Sequence, residues 1–125
     1  MPWTVLFHPD FDPEFEALAE PVRLELLGRL QVLAQFGPGL GRPNVDTLKG
    51  STFPNMKELR FQADGVWRFA FAFDVRRQAI ILTGANKEGQ KEKRFYVDLI
   101  RTADKRFAAY IAGLRAVSGI RGSEP

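Results

Sequence analysis

A chain of 125 residues with 45% hydrophobic and 26% charged content and a net charge of +3 predicts one globular domain. Such a domain buries about two-thirds of the unfolded chain's surface and needs neither disulfide nor metal. The lack of cysteine excludes disulfides, thiolate metal sites and cysteine nucleophiles, and the single histidine excludes a histidine-based metal centre or a two-histidine acid–base pair.

Trp3 to Phe7 is rich in β-formers and reads as a first strand. No basic residues precede it and His8-Pro9-Asp10 follows at once, so it does not read as a secretion signal. Asp10 or Asp12 is placed to cap a short helix with Pro13 at its first position and Glu14 and Glu16 near its positive end. Pro21 opens a second helix. Leu26, Leu27, Leu30, Leu33 and Ala34 recur at helical spacing, Arg23, Arg29 and Gln31 fall away from them, and Gly37-Pro38-Gly39 stops the helix. Residues 37–54 read as an ordered connector laid over the domain. Within it, Lys49-Gly50-Ser51-Thr52 has the residue types of a phosphate turn but not the spacing of a P-loop.

Lys57 to Gln90 predicts an antiparallel meander, with turns at Asp64-Gly65 and at Arg76-Arg77-Gln78. Neighbouring strand residues point to opposite faces, so Trp67, Phe69, Phe71 and Phe73 share one side while Val66, Arg68, Ala70, Ala72 and Asp74 share the other. Leu59 and Phe61 join the aromatic side and leave Glu58, Arg60 and Gln62 opposite. The expectation is a helical hairpin on the aromatic face and an exposed reverse face on which Arg60 and Arg68 hold an anion such as a phosphate backbone. Asn86 to Lys91 forms a basic, glycine-containing loop. A last helix then runs from near Lys93 to about Val117, with Phe95, Leu99, Ala103, Phe107 or Ala108, Tyr110, Ile111 and Leu114 as its apolar stripe. Residues 1–117 make up the predicted domain, and 118–125 a fraying tail.

No apolar run approaches the roughly 20 residues that span a bilayer, and a cysteine-free chain fits a reducing cytoplasm, so a cytoplasmic protein with no membrane partner is expected. Between residues 60 and 106 there are eleven Lys and Arg against six Asp and Glu. This excess favours a polyanionic or acidic partner for that half, although a solvated surface explains as much charge.

Strand, helical hairpin, three-stranded meander and last helix is an order that resembles the RelE/ParE superfamily of bacterial toxins, in its HigB-like, phage-derived branch. The residues that carry the resemblance are Leu33-Ala34-Gln35-Phe36-Gly37, the connector from Arg42-Pro43-Asn44 to Leu48-Lys49-Gly50, Lys57-Glu58-Leu59-Arg60-Phe61, the Trp67-Arg68-Phe69 ladder to Phe73, and Ile80 to Lys87 with Gln90-Lys91 behind it. The order and spacing of these pieces across residues 3–115 make the match; none is specific alone. The resemblance implies an α+β, RelE-like fold: an N-terminal strand, a helical hairpin packed on a mostly antiparallel four-stranded sheet, and a C-terminal helix. It also implies the toxin of a type II toxin–antitoxin module, neutralised by a HigA-like helix-turn-helix antitoxin. RelE- and HigB-like members cut messenger RNA on the ribosome without a metal, whereas ParE-like members poison DNA gyrase. A retained phage protein that only binds RNA or another protein is the third possibility, since a fold does not choose among activities.

Metal-independent RNA cleavage needs activation of a ribose 2′-OH, cations for the charge that develops on the phosphate, and a proton for the departing 5′ oxygen. By the resemblance, Arg60, Arg68 and Lys87 match the family's basic residues, with Lys91 and Arg94 as further RNA contacts. Each can equally be a structural ion pair, for example with Glu58 or Asp74. Glu58 either accepts the 2′-OH proton or holds Arg60 or Arg68. Tyr96 either brings its hydroxyl or ring to the RNA or is simply half-buried. The candidate catalytic set is Arg68, Arg60, Glu58, Lys87 and Tyr96, with no metal or organic cofactor expected. Many cleaving relatives carry a histidine near the end of the last strand or in the final segment. Here the single histidine, His8, ends strand one and reads as a turn or capping residue.

Overall fold

The computed structural model describes the backbone of residues 2–122 and the side chains of residues 2–114. In chain order the elements are β1 (Thr4–Phe7), α1 (Phe11–Glu16), α2 (Glu20–Phe36), a 3₁₀ turn (Gly37–Gly39), β2 (Val45–Thr47), β3 (Met56–Gln62), β4 (Val66–Phe73), β5 (Gln78–Asn86) and α3 (Glu92–Gly122). The expected tail at 118–125 falls, in its side chains and in the backbone of its last three residues, outside the described residues.

One sheet carries the strands in the order β1-β5-β4-β3-β2. Only the β1–β5 pair is parallel, with Thr4 beside Gln78 and Phe7 beside Ile81. The fold class is as expected, but the sheet has five strands: Val45–Thr47, read as connector, pairs with β3. Three residues are too few for alternation to announce a strand, and an edge pairing supplies what the local pattern lacks. Pro13 is the third residue of α1, not the first. The His8 carbonyl accepts from the Phe11 and Asp12 N–H groups, so the helix opens earlier, and proline is tolerated in a first turn whose N–H groups lack helical partners.

The turns stand where they were predicted. Asp64 (φ 51) and Gly65 (φ 138) take left-handed backbone between β3 and β4, and a Cβ at Gly65 would meet the Asn86 side chain at 2.7 Å. Between β4 and β5 the Asp74 carboxylate accepts from the N–H groups of Arg76 (2.8 Å) and Gln78 (3.0 Å).

The aromatic face packs as its alternation requires. Leu59, Phe61, Phe69 and Phe71 form one core with Phe11 of α1 and Val22, Leu26, Leu30 and Leu33 of α2. Gly84 is needed there because the Phe69 ring lies where a Cβ would stand, 2.1 Å away. The reverse face is not bare. Helix α3 lies across it, with Phe95, Leu99, Ala103 and Phe107 against Met56, Ala70, Ala72, Ile80 and Leu82. Small alanines on that face admit a helix at close range, so an apolar stripe on α3 has a surface to cover. Both sheet faces are therefore buried, and the exposed reverse face expected from the sequence is reduced to the end beside the first turns of α3.

Candidate active site

That end holds the charged residues of the meander. In the β3–β4 ladder Arg60 lies opposite Arg68, and Glu58 opposite Ala70. In the β2–β3 pair Asp46 lies opposite Glu58. Helix α3 starts at Glu92, which puts Tyr96 one turn in, where it comes down onto this polar end. The Tyr96 hydroxyl donates to Glu58 Oε1 (2.7 Å) and accepts from Arg68 Nε (3.3 Å). Arg68 Nε is also 3.5 Å from Glu58 Oε1, and its Nη1 donates to the Trp67 carbonyl (2.9 Å). Glu58 and Arg68 are each only 7% exposed. Arg68 therefore corrects the expectation of an open phosphate contact: α3 has closed over it, and its guanidinium orients Tyr96 and Glu58 from below.

Above this buried cluster opens a cleft of about 270 Å³ lined by Arg42, Asp46, Thr47, Leu48, Lys49, Glu58, Arg60, Glu92 and Tyr96. Arg60 is half-buried in its wall, and among the described residues its guanidinium has no hydrogen bond or ion pair. Lys87 stands at the rim. Its backbone N–H donates to the Val66 carbonyl, its Nζ lies 2.7 Å from Glu92 Oε1, and the same Nζ lies 5.6 Å above the Tyr96 ring. Lys91 is exposed just before α3, and Arg94 is exposed on its first turn, 3.6 Å from Asp98. Both flank the cleft without lining it.

Burial and the hydrogen bond to Glu58 raise the Tyr96 hydroxyl above its ordinary range, so it keeps its proton. The Glu92 carboxyl is lowered, first by its bond to Lys87 and further by the fields of Arg68 and Arg60. At the opposite rim Arg42 Nη2 holds Asp46 at 2.7 Å and lowers that carboxyl too. A carboxylate and a phenol form the floor, Arg60 stands in the wall unpaired among the described residues, and Arg42 and Lys87 are each paired with a carboxylate, Asp46 and Glu92. Among the described residues no group of three or more His, Asp or Glu is placed to hold a metal.

The sequence reading brought Glu58, Arg60, Arg68, Lys87 and Tyr96 to one place. It missed Arg42, Asp46 and Glu92, which the β2 edge and the first turn of α3 carry in. Val45-Asp46-Thr47 was the available signal for the first two, being β-favouring at both ends. Lys49 lines the cleft, but its neighbours do not form a phosphate turn: Ser51 Oγ and the Thr52 N–H both donate to the Asp104 carboxylate of α3. His8 is structural as expected. Its Nδ1 accepts from the Asp10 N–H at 3.0 Å, it is buried at the end of β1, and burial lowers its pKa. A larger groove, about 700 Å³, lies toward the other end of α3 among Phe53, Phe73, Phe107 and Ile111, and it is mainly apolar.

Residues 13–108 match the family described as phage derived protein Gp49-like. The chain belongs to this Gp49-like family. It is 42% identical over 108 residues to the candidate toxin HigB3 of Mycobacterium tuberculosis, covering 86% of this chain and 93% of that protein. It is 46% identical over 85 residues to the candidate toxin HigB2 of the same organism, covering 66% of this chain and 42% of the longer relative. A double arginine-to-alanine mutant of the E. coli toxin RelE in the free state shares the fold, with a TM-score of 0.59 at 15% identity over 85% of this chain and 98% of RelE. The Gp49-like chain is thus HigB-like, and its order of N-terminal strand, helices, mostly antiparallel sheet and C-terminal helix is the fold that it shares with RelE. Among its described helices none is long and apolar enough to cross a membrane.

Proposed function

We propose that this chain is the toxin of a type II toxin–antitoxin pair and that it cleaves messenger RNA on the ribosome, in the cytoplasm, by metal-independent attack of a ribose 2′-OH on the adjacent phosphodiester. The observation that carries the reading is the Glu58–Tyr96–Arg68 cluster at the floor of a cleft with Arg60 in its wall and Lys87 at its rim. Glu58 is the proton acceptor. The Tyr96 hydroxyl, which lines the cleft beside it and donates to it, passes the 2′-OH proton on, giving its own to Glu58 as it receives one. Arg68 is a positioning residue that holds both. Arg60 supplies a planar fork for two phosphate oxygens and stays charged at any working pH. Lys87 neutralises the developing charge from the rim and gives the departing 5′ oxygen its proton. None of these roles needs the histidine that many relatives carry.

The partner follows from the same charges. A HigA-like helix-turn-helix antitoxin that blocks this cleft would present acidic or aromatic side chains to its cations. Induced expression with mapping of cellular RNA 5′ ends tests the function. New internal message ends and translational arrest, both lost in a folded Glu58→Gln variant, are expected. Intact message accompanied by supercoiling defects would replace this reading with gyrase poisoning, and neither effect would leave a binding protein.

A further inference from the structure

Lys87 is the cleft cation whose geometry is most constrained. Its backbone is tied to Val66, its ammonium sits over the Tyr96 ring, and its side chain is only 21% exposed. Its partner is the opposite: the Glu92 side chain is 70% exposed, and Lys87 is the only described group that it bonds. Glu92 is also the first residue of α3, where the positive helix end favours a carboxylate whether or not Lys87 is bound. Leaving Lys87 therefore costs Glu92 little, because an exposed ion pair changes an equilibrium by about fivefold at most. A phosphodiester arriving beside Arg60 would need the same ammonium.

We propose that Glu92 is a displaceable cover on Lys87: its carboxylate holds the ammonium and yields it to a backbone phosphate when an RNA strand seats on Arg60. This rests on the reading of the cleft as an RNA site and adds a selectivity rule to it. A lone anion must compete with a carboxylate already in place, and it gains one contact while losing another. A strand already held at Arg60 and Lys49 presents its next phosphate at high effective concentration and wins the exchange. The lowered Glu92 carboxyl keeps the cover charged throughout the neutral range.

The test uses the full chain and a short 2′-O-methyl oligoribonucleotide, which lacks the nucleophile and binds without being cut. Glu92→Gln should tighten binding about three- to fivefold and should also let inorganic phosphate compete better for the cleft. Glu88→Gln, on the exposed loop just before α3 and without a bond to Lys87, should change affinity less than about twofold. In a Lys87→Ala background, Glu92→Gln should fall to the level of Glu88→Gln, a loss of coupling that simple removal of a negative charge would not produce. Equal effects of Glu92→Gln and Glu88→Gln, or an undiminished Glu92→Gln effect without Lys87, would overturn the cover while leaving the RNA site standing if Arg60→Ala still weakens binding. Failure of the wild-type chain to bind the oligonucleotide would overturn both.

Discussion

The two faces of the sheet are each covered by helix, and they are covered differently. Under α1 and α2, Phe61, Phe69 and Trp67 stack with centroids 5.6 and 5.7 Å apart, and Phe11 meets Phe69 edge-on at 6.0 Å. Under α3 the face is graded, from Phe53 against Phe107 at one end to Tyr96 on Glu58 and Arg68 at the other. The contrast shows how one helix serves two purposes. Its apolar turns hold it to the sheet, and that attachment presses a phenol onto two charges that would otherwise be solvated. The polar end exists because α3 is anchored elsewhere.

The comparison breaks most sharply on the aromatic side. Phe69→Ala should destabilise the fold by about 3–5 kcal/mol in chemical denaturation, because its ring touches three others and fills the space over Gly84. On the α3 side the loss should fall on activity. Glu58→Gln keeps a hydrogen-bond acceptor for Tyr96 and should reduce cleavage on the order of 100-fold or more in a reconstituted translation assay, with a small change in melting temperature. A melting loss as large as that of Phe69→Ala would recast Glu58 as part of the core.

Tyr96→Phe lies between the two cases, removing one hydroxyl and leaving Glu58 beside Arg68. About 1–2 kcal/mol of stability should go with it, together with most of the cleavage. Arg60→Ala should leave stability within about 0.5 kcal/mol and flatten the salt dependence of single-strand binding by about 0.7 in logarithmic slope.

The smallest effect is spectroscopic. The two tyrosines, Tyr96 in the second turn of α3 and Tyr110 further along it, are both raised. Tyr110, half-buried and bonded to Asp74, is pushed up to about 12. The folded state then keeps protons that the unfolded chain releases near an ordinary tyrosine pKa of about 10. Their contribution to stability is present below that pH and is lost as pH rises from 10 toward 12. Phenolate absorbance should appear late in the native protein, and in Glu58→Gln only the Tyr96 component should move earlier.

Much of this architecture can be read from local pattern. The Trp67-to-Phe73 alternation, with Leu59 and Phe61, assigns every residue of β3 and β4 to a face, because side-chain direction in a strand depends only on the neighbouring residues. Asp64-Gly65 and Gly37 mark backbone that other residues seldom adopt. The same parity puts Glu58, Arg60 and Arg68 together before any tertiary contact is known. What it leaves open is the surroundings of that face. Tyr96 reaches Arg68 across 28 residues and Glu58 across 38, and the β2 edge that brings in Arg42 and Asp46 is too short to signal itself. Whether a strand face meets solvent or a helix is decided by the summed burial of distant apolar surfaces. Composition and alternation therefore determined which residues share the charged face, and only the docking of α3 decided that Arg68 lies under it while Arg60 stands open in the cleft.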